Sequence, residues 1–243
     1  MSILPYLLQK ENIAHVQDGI LYIGDRRTFP FQRTFFPCHD AGEIAFALRS
    51  MVTQGGGPLQ VALTALPFLA RKAGSFSELQ GMMDLIKASR KTNTTMARTI
   101  DGILEKVKDG RDMEERLSLL VEEQEAKFQS EYEVMGKAGA LLLPQEARVL
   151  TTCFAEHSFL LCLQYAREIG KKVVVMVNET RPYLQGSRLT APSLKELGFE
   201  VSLVTDGMGA HYMAENEINV YMTACDVLCK DGTVVNKVGT LNL

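Results

Sequence analysis

The sequence of 243 residues lacks several features that would assign it to a protein class at once. It has no apolar run near the ~20 residues that a membrane-spanning helix needs, and its N-terminus lacks the charged and apolar regions of a signal peptide. The formal net charge of −3 gives no basic surface of the kind that binds nucleic acid or anionic membranes. These absences predict a cytoplasmic protein without a membrane or nucleic-acid partner.

The sequence signatures of metal and nucleotide sites are absent as well. The five cysteines include no C-x-x-C pair and the four histidines are scattered, so we expect reduced thiols and no metal or organic cofactor. No G-x-G-x-x-G follows a predicted strand, and the glycines within residues 54–58 are not followed by the Lys-Ser/Thr pair of a P-loop. Dinucleotide binding is therefore disfavoured.

Strands and helices alternate from about residue 149 to the end of the chain. Strands are predicted at residues 149–154, 172–177, 200–205 and 218–224, with helices at about 158–169, 187–197 and 208–214. This alternation predicts right-handed crossovers and an α/β domain with a Rossmann-like parallel sheet. The strand ends should meet at one edge, where open parallel sheets bind ligands. They carry Cys153, Glu179, Asp206 and Asp226.

The part of the chain before residue 145 shows a different pattern. Short β-like runs within residues 11–36 predict a small antiparallel sheet, and Asp40 is a candidate N-cap for a helix that reaches about Met51. Further helices are predicted from Pro58 and at residues 77–87, 95–108 and 113–142. The expected organisation is a β-plus-helical N-terminal domain over residues 1–145 and an α/β domain over residues 146–243.

Two smaller groups of residues are candidate anion sites. Gly55, Gly56 and Gly57 precede a predicted helix, where bare N–H groups and the helix dipole attract phosphate. Taken alone, this segment is more simply a tight helix–helix connection. Arg90 lies among cations and hydroxyl groups where two predicted helices meet. Lys237 could bind a phosphate through its charge. They also have simpler interpretations, as a cation at a helix end and as an exposed surface lysine.

Residues 178–190 follow the apolar second strand and carry an acid, two arginines, amides, a glycine and hydroxyl groups. Three motifs stand out: Glu-Thr-Arg-Pro-Tyr-Leu-Gln-Gly at 179–186, Arg-Leu-Thr at 188–190, and Asn-Lys-Val-Gly-Thr at 236–240, ten residues after Asp226. Together they resemble the methylthioribose-1-phosphate isomerase family. That family also includes ribose-1,5-bisphosphate isomerase and the regulatory subunits of the eukaryotic initiation factor 2B complex. The resemblance covers nearly the whole chain.

The resemblance implies a cytoplasmic homodimer that acts in methionine salvage without a cofactor. Its substrate would be a sugar phosphate, either methylthioribose 1-phosphate or 5-deoxyribose 1-phosphate, which it would isomerise to the ribulose 1-phosphate. By position in the family's motifs, the catalytic residues correspond to Cys153 and Asp226. The substrate-binding residues correspond to Gly55, Gly56, Gly57, Arg90, Gln185, Asn236 and Lys237. For Cys153 alone, a buried inert thiol is the simpler interpretation.

The residue types at these positions suit the reaction. A sugar 1-phosphate is locked as a ring, so one group must protonate the ring oxygen while hydrogen moves between C2 and C1, as a proton or as a hydride. Asp226 has apolar neighbours in the sequence, and an apolar setting favours a protonated carboxyl group that can act as the acid. A thiol that faces a helix N-terminus carries partial thiolate character, so Cys153 is expected to act as the base.

Three departures from the family's pattern bear on these assignments. Gly55 stands where relatives carry the arginine of an Arg-Gly-Ala-Pro loop, and residues 154–159 replace an asparagine and a turn rich in small residues. Relatives continue beyond residues 236–240 with further strand and helix, so the α/β domain is expected to be incomplete relative to the family. The alternative function is a non-catalytic regulatory subunit like those of initiation factor 2B, which senses a sugar phosphate or a nucleotide. Retention of both Cys153 and Asp226 argues against it.

Overall fold

The computed structural model describes residues 4–243. The chain forms two compact units: residues 9–128 make the first, and residues 129–243 with the segment before residue 9 make the second. The long helix Met113–Leu142 contains this division, whereas the sequence predicted a boundary after the helix, at residue 145. Within residues 4–243, no helix combines the length and the apolar composition of a membrane span.

The first unit contains a three-stranded antiparallel sheet in the order β1-β2-β3. Its strands are β1 (Ala14–Gln17), β2 (Ile20–Gly24) and β3 (Phe35–Cys38). Asp18 and Gly19 connect β1 and β2 with φ angles of 51° and 74°, because a two-residue turn with this twist needs left-handed backbone. The sheet packs against helices whose apolar faces form the core of the unit.

The helices of the first unit are α1 (Lys10–Ile13), α2 (Ala41–Arg49), α3 (Gly57–Ala70), α4 (Phe76–Ser89), α5 (Thr94–Glu105) and the first part of α6 (Met113–Leu142). Asp40 caps α2 as predicted, since its Oδ1 accepts the Glu43 N–H at 2.9 Å. The core includes the fully buried side chains of Ile44, Leu48, Leu66, Met83 and Ile100.

The second unit contains a parallel sheet, and this confirms the predicted α/β architecture. Its strands are β4 (Glu146–Thr151), β5 (Lys172–Asn178), β6 (Glu200–Val204) and β7 (Val220–Tyr221), and its helices include α7 (Glu156–Glu168), α8 (Ala191–Glu196) and α9 (Gly209–Ala214). The strand order is β6-β5-β4-β7, so the chain first moves outward from β4 and then returns to its other side. The reversal leaves a switch point between the ends of β4 and β7, where open α/β sheets bind ligands.

Two predictions for the last part of the chain are wrong. The fourth strand is Val220–Tyr221 rather than residues 218–224, and the chain then leaves the sheet. It forms a separate antiparallel hairpin of β8 (Val227–Leu228) and β9 (Val234–Val235), and these residues pair with each other instead of extending the parallel sheet. Asn236 and Lys237 do not begin a helix, because they follow β9 directly and the next helical turn is Thr240–Asn242.

The helix predicted at residues 187–197 is divided in the structure. A π-helix, Gly186–Thr190, comes first, and α8 continues from Ala191. Pro192 is the second residue of α8.

Candidate functional site

The backbone of Cys153 is held from both sides at the end of β4. Its φ is 63°, and its N–H donates to the Thr180 hydroxyl oxygen at 2.9 Å. The Thr190 hydroxyl donates to the Cys153 carbonyl oxygen. These contacts reach across 27 and 37 residues of sequence, so the loop after β5 and the π-helix together fix the thiol-bearing residue.

Thr180 is itself held by Asp206, which follows β6. The two carboxylate oxygens of Asp206 accept the N–H groups of Thr180 at 2.8 Å and Arg181 at 2.7 Å. Asp206 does not cap the next helix, because the residue before α9 is Met208, which makes no side-chain cap. The sequence placed Asp206 at this edge of the sheet and Thr180 in the polar segment, but it did not predict that the two residues hold Cys153. Their signal was the polar run that begins at Asn178, directly after an apolar strand.

Gln185 lies in a closely packed turn beside the end of β5. It is only 4% exposed, and within residues 4–243 its Oε1 has no hydrogen-bond partner. The buried Oδ1 of Asn178 is in the same state. A methyl group on Gly186 would lie 1.7 Å from the Asn178 carbonyl oxygen, so only glycine fits there. Buried acceptors without partners are costly, and the hydroxyl groups of a ligand can satisfy them.

The β8–β9 hairpin brings Asp226 beside Asn236 and Lys237. The Asp226 N–H donates to the Val235 carbonyl oxygen at 2.9 Å, so the start of one hairpin strand faces the end of the other. The Asn236 side-chain amide donates to the Thr223 hydroxyl at 3.1 Å and thereby ties the hairpin to the segment that follows β7. Residues ten positions apart in sequence therefore become neighbours.

Lys237 joins the two motifs on which the family resemblance rests. It is half-buried, and its Nζ lies 4.9 Å from the centroid of the Tyr183 ring. A cation over an aromatic face is held electrostatically. This contact replaces the simpler interpretation of Lys237 as an exposed surface lysine.

The charges around Cys153 show which groups lie near its sulfur. Burial is the largest influence and raises the pKa of the thiol, and the carboxyl groups of Asp226 and Glu156 raise it further. The Phe154 N–H and the Lys237 ammonium group act in the opposite direction. The expected thiolate character is therefore wrong in direction, because desolvation outweighs the positive groups nearby.

Asp226 is exposed, not enclosed by apolar side chains as the sequence suggested. β7 ends at Tyr221, so Asp226 lies outside the parallel sheet, directly before β8. Glu156 was not singled out in the sequence. Its φ is 52° at the first residue of α7, and this unusual conformation accompanies its position near the thiol.

The other candidates lie in the first unit. Gly55 has a φ of 64°, Gly56 is the N-cap residue of α3, and the guanidinium group of Arg90 donates to the Met51 sulfur at 2.9 Å. Met51 lies shortly after α2 and four residues before Gly55 in the sequence. Its contact with Arg90 therefore places Arg90 in the same region of this unit as the glycine turn. Among the residues described, no three His, Cys, Asp or Glu side chains are arranged to hold a metal ion.

Comparison with known proteins identifies the family. The Initiation factor 2 subunit family matches residues 61–243. The chain belongs to this family. Methylthioribose-1-phosphate isomerase of Desulforudis audaxviator is 31% identical over 93% of this chain and 70% of its own length. The protein of the same name from Pelotomaculum thermopropionicum is 29% identical over 93% of this chain and 67% of its own length.

Solved structures of family members share the fold. The 5-methylthioribose 1-phosphate isomerase of Pyrococcus horikoshii OT3 superposes with a TM-score of 0.75 at 24% identity, over 94% of this chain and 69% of that one. Subunit delta of the translation initiation factor eIF-2B from A. fulgidus gives a TM-score of 0.68 at 26% identity, over 86% of this chain and 66% of that one. The chain thus spans about two-thirds of the length of these family members.

Proposed function

We propose that this chain is an intramolecular isomerase that converts a 5-substituted ribose 1-phosphate to the ribulose 1-phosphate. The observation that carries the proposal is the grouping of Cys153, Asp226 and Lys237, in which both charged groups act on the pKa of the thiol. Cys153 and Asp226 follow neighbouring strands, β4 and β7, on the two sides of the switch point. The names of the similar isomerases support methylthioribose 1-phosphate as the first substrate to test. The second to test is 5-deoxyribose 1-phosphate, which stays a prediction from the family resemblance.

Each group has a role in the balance of the reaction. The ring oxygen gains a proton, the hydroxyl group on C2 loses one, and one hydrogen moves from C2 to C1. Because burial raises the pKa of Cys153, its thiol is protonated near neutral pH, and we assign it to protonate the ring oxygen. Asp226 accepts the proton from the C2 hydroxyl group. This exchanges the acid and base roles that the sequence suggested.

The remaining polar groups of the second unit suit a sugar phosphate. Lys237 provides a positive charge for a phosphate or for negative charge that develops on oxygen. The buried acceptors of Gln185 and Asn178 suit the hydroxyl groups of a pentose. The substrate contacts of Asn236, of Gly55, Gly56 and Gly57 and of Arg90 stay predictions from the family's motifs, and so does the homodimer.

The test is direct assay with a panel of pentose 1-phosphates, following ketose formation by carbon-13 NMR. Asp226→Asn and Cys153→Ser should each lower turnover by about a hundredfold or more, the range of a lost acid–base group. Cys225→Ser is the matched control, since Cys225 is an exposed thiol next to Asp226 and should tolerate the change. Full activity in either site variant, with the wild-type unfolding midpoint retained, would contradict the proposal.

A non-catalytic regulatory subunit that senses a sugar phosphate or a nucleotide is the second candidate. It is favoured by the similarity to subunit delta of eIF-2B from A. fulgidus, at 26% identity. This function predicts saturable binding of a sugar phosphate to the wild-type protein with no ketose formed. Turnover that depends on Asp226 and Cys153 would exclude it.

A further inference from the structure

The backbone around Tyr183 is fixed on both sides, although its side chain is 50% exposed. Thr180 and Leu184 have φ angles of 64° and 61°, and the Leu184 N–H donates to the Thr180 carbonyl oxygen at 2.7 Å. Asp206 accepts the Thr180 N–H at 2.8 Å, and the Leu184 carbonyl oxygen accepts the Arg188 N–H at 2.8 Å. The aromatic ring is therefore carried by a rigid turn at the edge of the sheet.

Lys237 reaches this ring from the segment that follows β9. Its carbonyl oxygen accepts both the N–H of Thr240 at 3.1 Å and the hydroxyl group of Thr240 at 2.7 Å, so its backbone is held. The flexible four-carbon side chain is not fixed by these bonds. Its Nζ lies 4.9 Å from the centroid of the Tyr183 ring, and within residues 4–243 the ammonium group is in no ion pair. The ring is thus the contact that gives the ammonium group its direction.

Tyr183 makes this contact with its ring and not with its hydroxyl group. In the part of the chain that the structure describes, the phenol oxygen takes part in no hydrogen bond. A cation is attracted to the negative face of an aromatic ring, which phenylalanine shares with tyrosine and leucine lacks. The two replacements therefore separate the effect of the ring from that of the hydroxyl group.

The direction of the lysine matters because of the charges that act on Cys153. Asp226 and Glu156 raise the pKa of the thiol, whereas the Phe154 N–H and the Lys237 ammonium group lower it. Lys237 is the positively charged side chain in this set, so it stabilises the thiolate relative to the thiol. In the proposed reaction, Cys153 is left as a thiolate when its proton passes to the ring oxygen of the sugar.

We infer that Tyr183 is a positioning residue whose ring face holds the Lys237 ammonium group toward the Cys153 thiol. The proton moves from the sulfur of Cys153 to the ring oxygen of the sugar, while Lys237 keeps its own proton and Tyr183 forms no bond. The inference rests on the proposed function, because that reaction gives the thiolate its use. Its test nevertheless needs no substrate.

The test measures the pH dependence of Cys153 alkylation by iodoacetamide in the 243-residue protein, resolved by mass spectrometry of peptides. Tyr183→Leu should raise the titration midpoint by about half a pH unit, because Lys237 is no longer directed toward the sulfur. Tyr183→Phe should titrate as the wild type does. Tyr165→Leu is the matched control, since Lys137 Nζ lies 5.3 Å from the Tyr165 ring near the opposite end of α7 from Cys153. Its midpoint should not move.

A double-mutant cycle shows whether Tyr183 acts through Lys237. Lys237→Met alone should raise the midpoint at least as far as Tyr183→Leu does, and the two changes together should raise it no further than Lys237→Met. Additive shifts would overturn the inference. So would an unchanged midpoint in Tyr183→Leu, or equal shifts in the leucine and phenylalanine variants.

Circular dichroism and thermal unfolding establish that each variant is folded, and Tyr183→Gln takes the place of the leucine variant should that variant not fold. In the ketose assay, Tyr183→Leu should lower kcat by about threefold, the factor that half a pKa unit represents, and Tyr183→Phe should retain most of the wild-type value. A protein with the expected alkylation midpoints that forms no ketose contradicts only the isomerase proposal. Ketose formation with the same midpoint in wild type and Tyr183→Leu contradicts only the role of Tyr183.

Discussion

Gly186 occupies a position where one added carbon atom would reach the neighbouring backbone. A methyl group there would lie 1.7 Å from the Asn178 carbonyl oxygen, so Gly186→Ala must displace the turn after β5. We expect the free energy of unfolding to fall by about 1–3 kcal/mol, together with a loss of turnover. Urea unfolding checks this. Gly81→Ala is the matched control, because nothing lies within 4 Å and the helix should gain about 0.5–1 kcal/mol. Equal effects in the two variants would contradict the packing argument.

The thiol of Cys153 reports the charges around it. Lys237→Ala removes a positive charge that lowers the pKa of Cys153, so the pKa should rise further; Glu156→Gln removes a negative charge, so the pKa should fall. The measurement is the pH dependence of alkylation by iodoacetamide, resolved by mass spectrometry of peptides. This separates Cys153 from the exposed Cys225 and Cys229. Identical titration midpoints in wild type and both variants would show that the charged groups are too distant to matter.

At the scale of single elements, the β8–β9 hairpin decides where Asp226 and Lys237 meet. Gly232 has a φ of 88° in the hairpin turn. A residue with a side chain adopts this left-handed backbone conformation at a cost of about 1 kcal/mol or more. Gly232→Ala should loosen the hairpin without unfolding the molecule. Hydrogen exchange should therefore accelerate at the Asp226 and Cys229 amides, which donate across the hairpin. Gly207→Ala, outside the left-handed region and with open space around it, is the control. Unaltered exchange in Gly232→Ala would mean that the two-residue strands are held by other contacts.

The π-helix, Gly186–Thr190, links the polar segment to the sheet at the same scale. Its last residue, Thr190, donates to the Cys153 carbonyl oxygen, so this element supports the site as well as connecting β5 to α8. A prediction that assumes a single helical period throughout does not separate the π-helix from α8. The wider turn becomes apparent only when the contact with Cys153 is known.

For the molecule as a whole, buried thiols make the free energy of unfolding fall as the pH rises in the alkaline range. Burial raises the pKa of Cys38 to about 12 and that of Cys162 to about 11, above the ordinary value of 9.0. Stability from these neutral thiols is complete below about pH 9 and is lost as the pH rises toward the folded-state values, because the unfolded thiols ionise first. Each thiol should lower the free energy of unfolding by about 1.4 kcal/mol per pH unit in that window.

Urea unfolding at pH 8, 9 and 10 measures this slope. Cys162→Ala should give a smaller slope than the wild type above pH 9, at the cost of a lower free energy of unfolding at pH 8. An unchanged slope in Cys162→Ala would assign the alkaline loss to other groups.

Much of this architecture could be predicted from the sequence, because local patterns determine it. The helix predicted at residues 113–142 is Met113–Leu142, and the apolar run before Asn178 is the strand β5, in which Val175 and Val177 are buried. The hairpin could not be predicted in this way. Nor could the contacts from Thr180 and Thr190 to Cys153, because single hydrogen bonds join these residues across long stretches of sequence. The raised pKa of Cys153 was missed for a related reason. The desolvation of a group depends on all the atoms that pack around it in the fold, and the spacing of residues in the sequence does not predict it.

The two hydrogen bonds that clamp the backbone of Cys153 have a stereochemical consequence. A thiol on an immobilised backbone can reach the ring oxygen of a bound pentose from one side only, so the sugar is held in one orientation while its hydrogen moves from C2 to C1. The C1 carbon of the ketose product carries two hydrogens, and an enzyme that works from one face would deliver the migrating hydrogen to one prochiral position. A substrate deuterated at C2 should then yield product in which the label that reaches C1 occupies a single diastereotopic site.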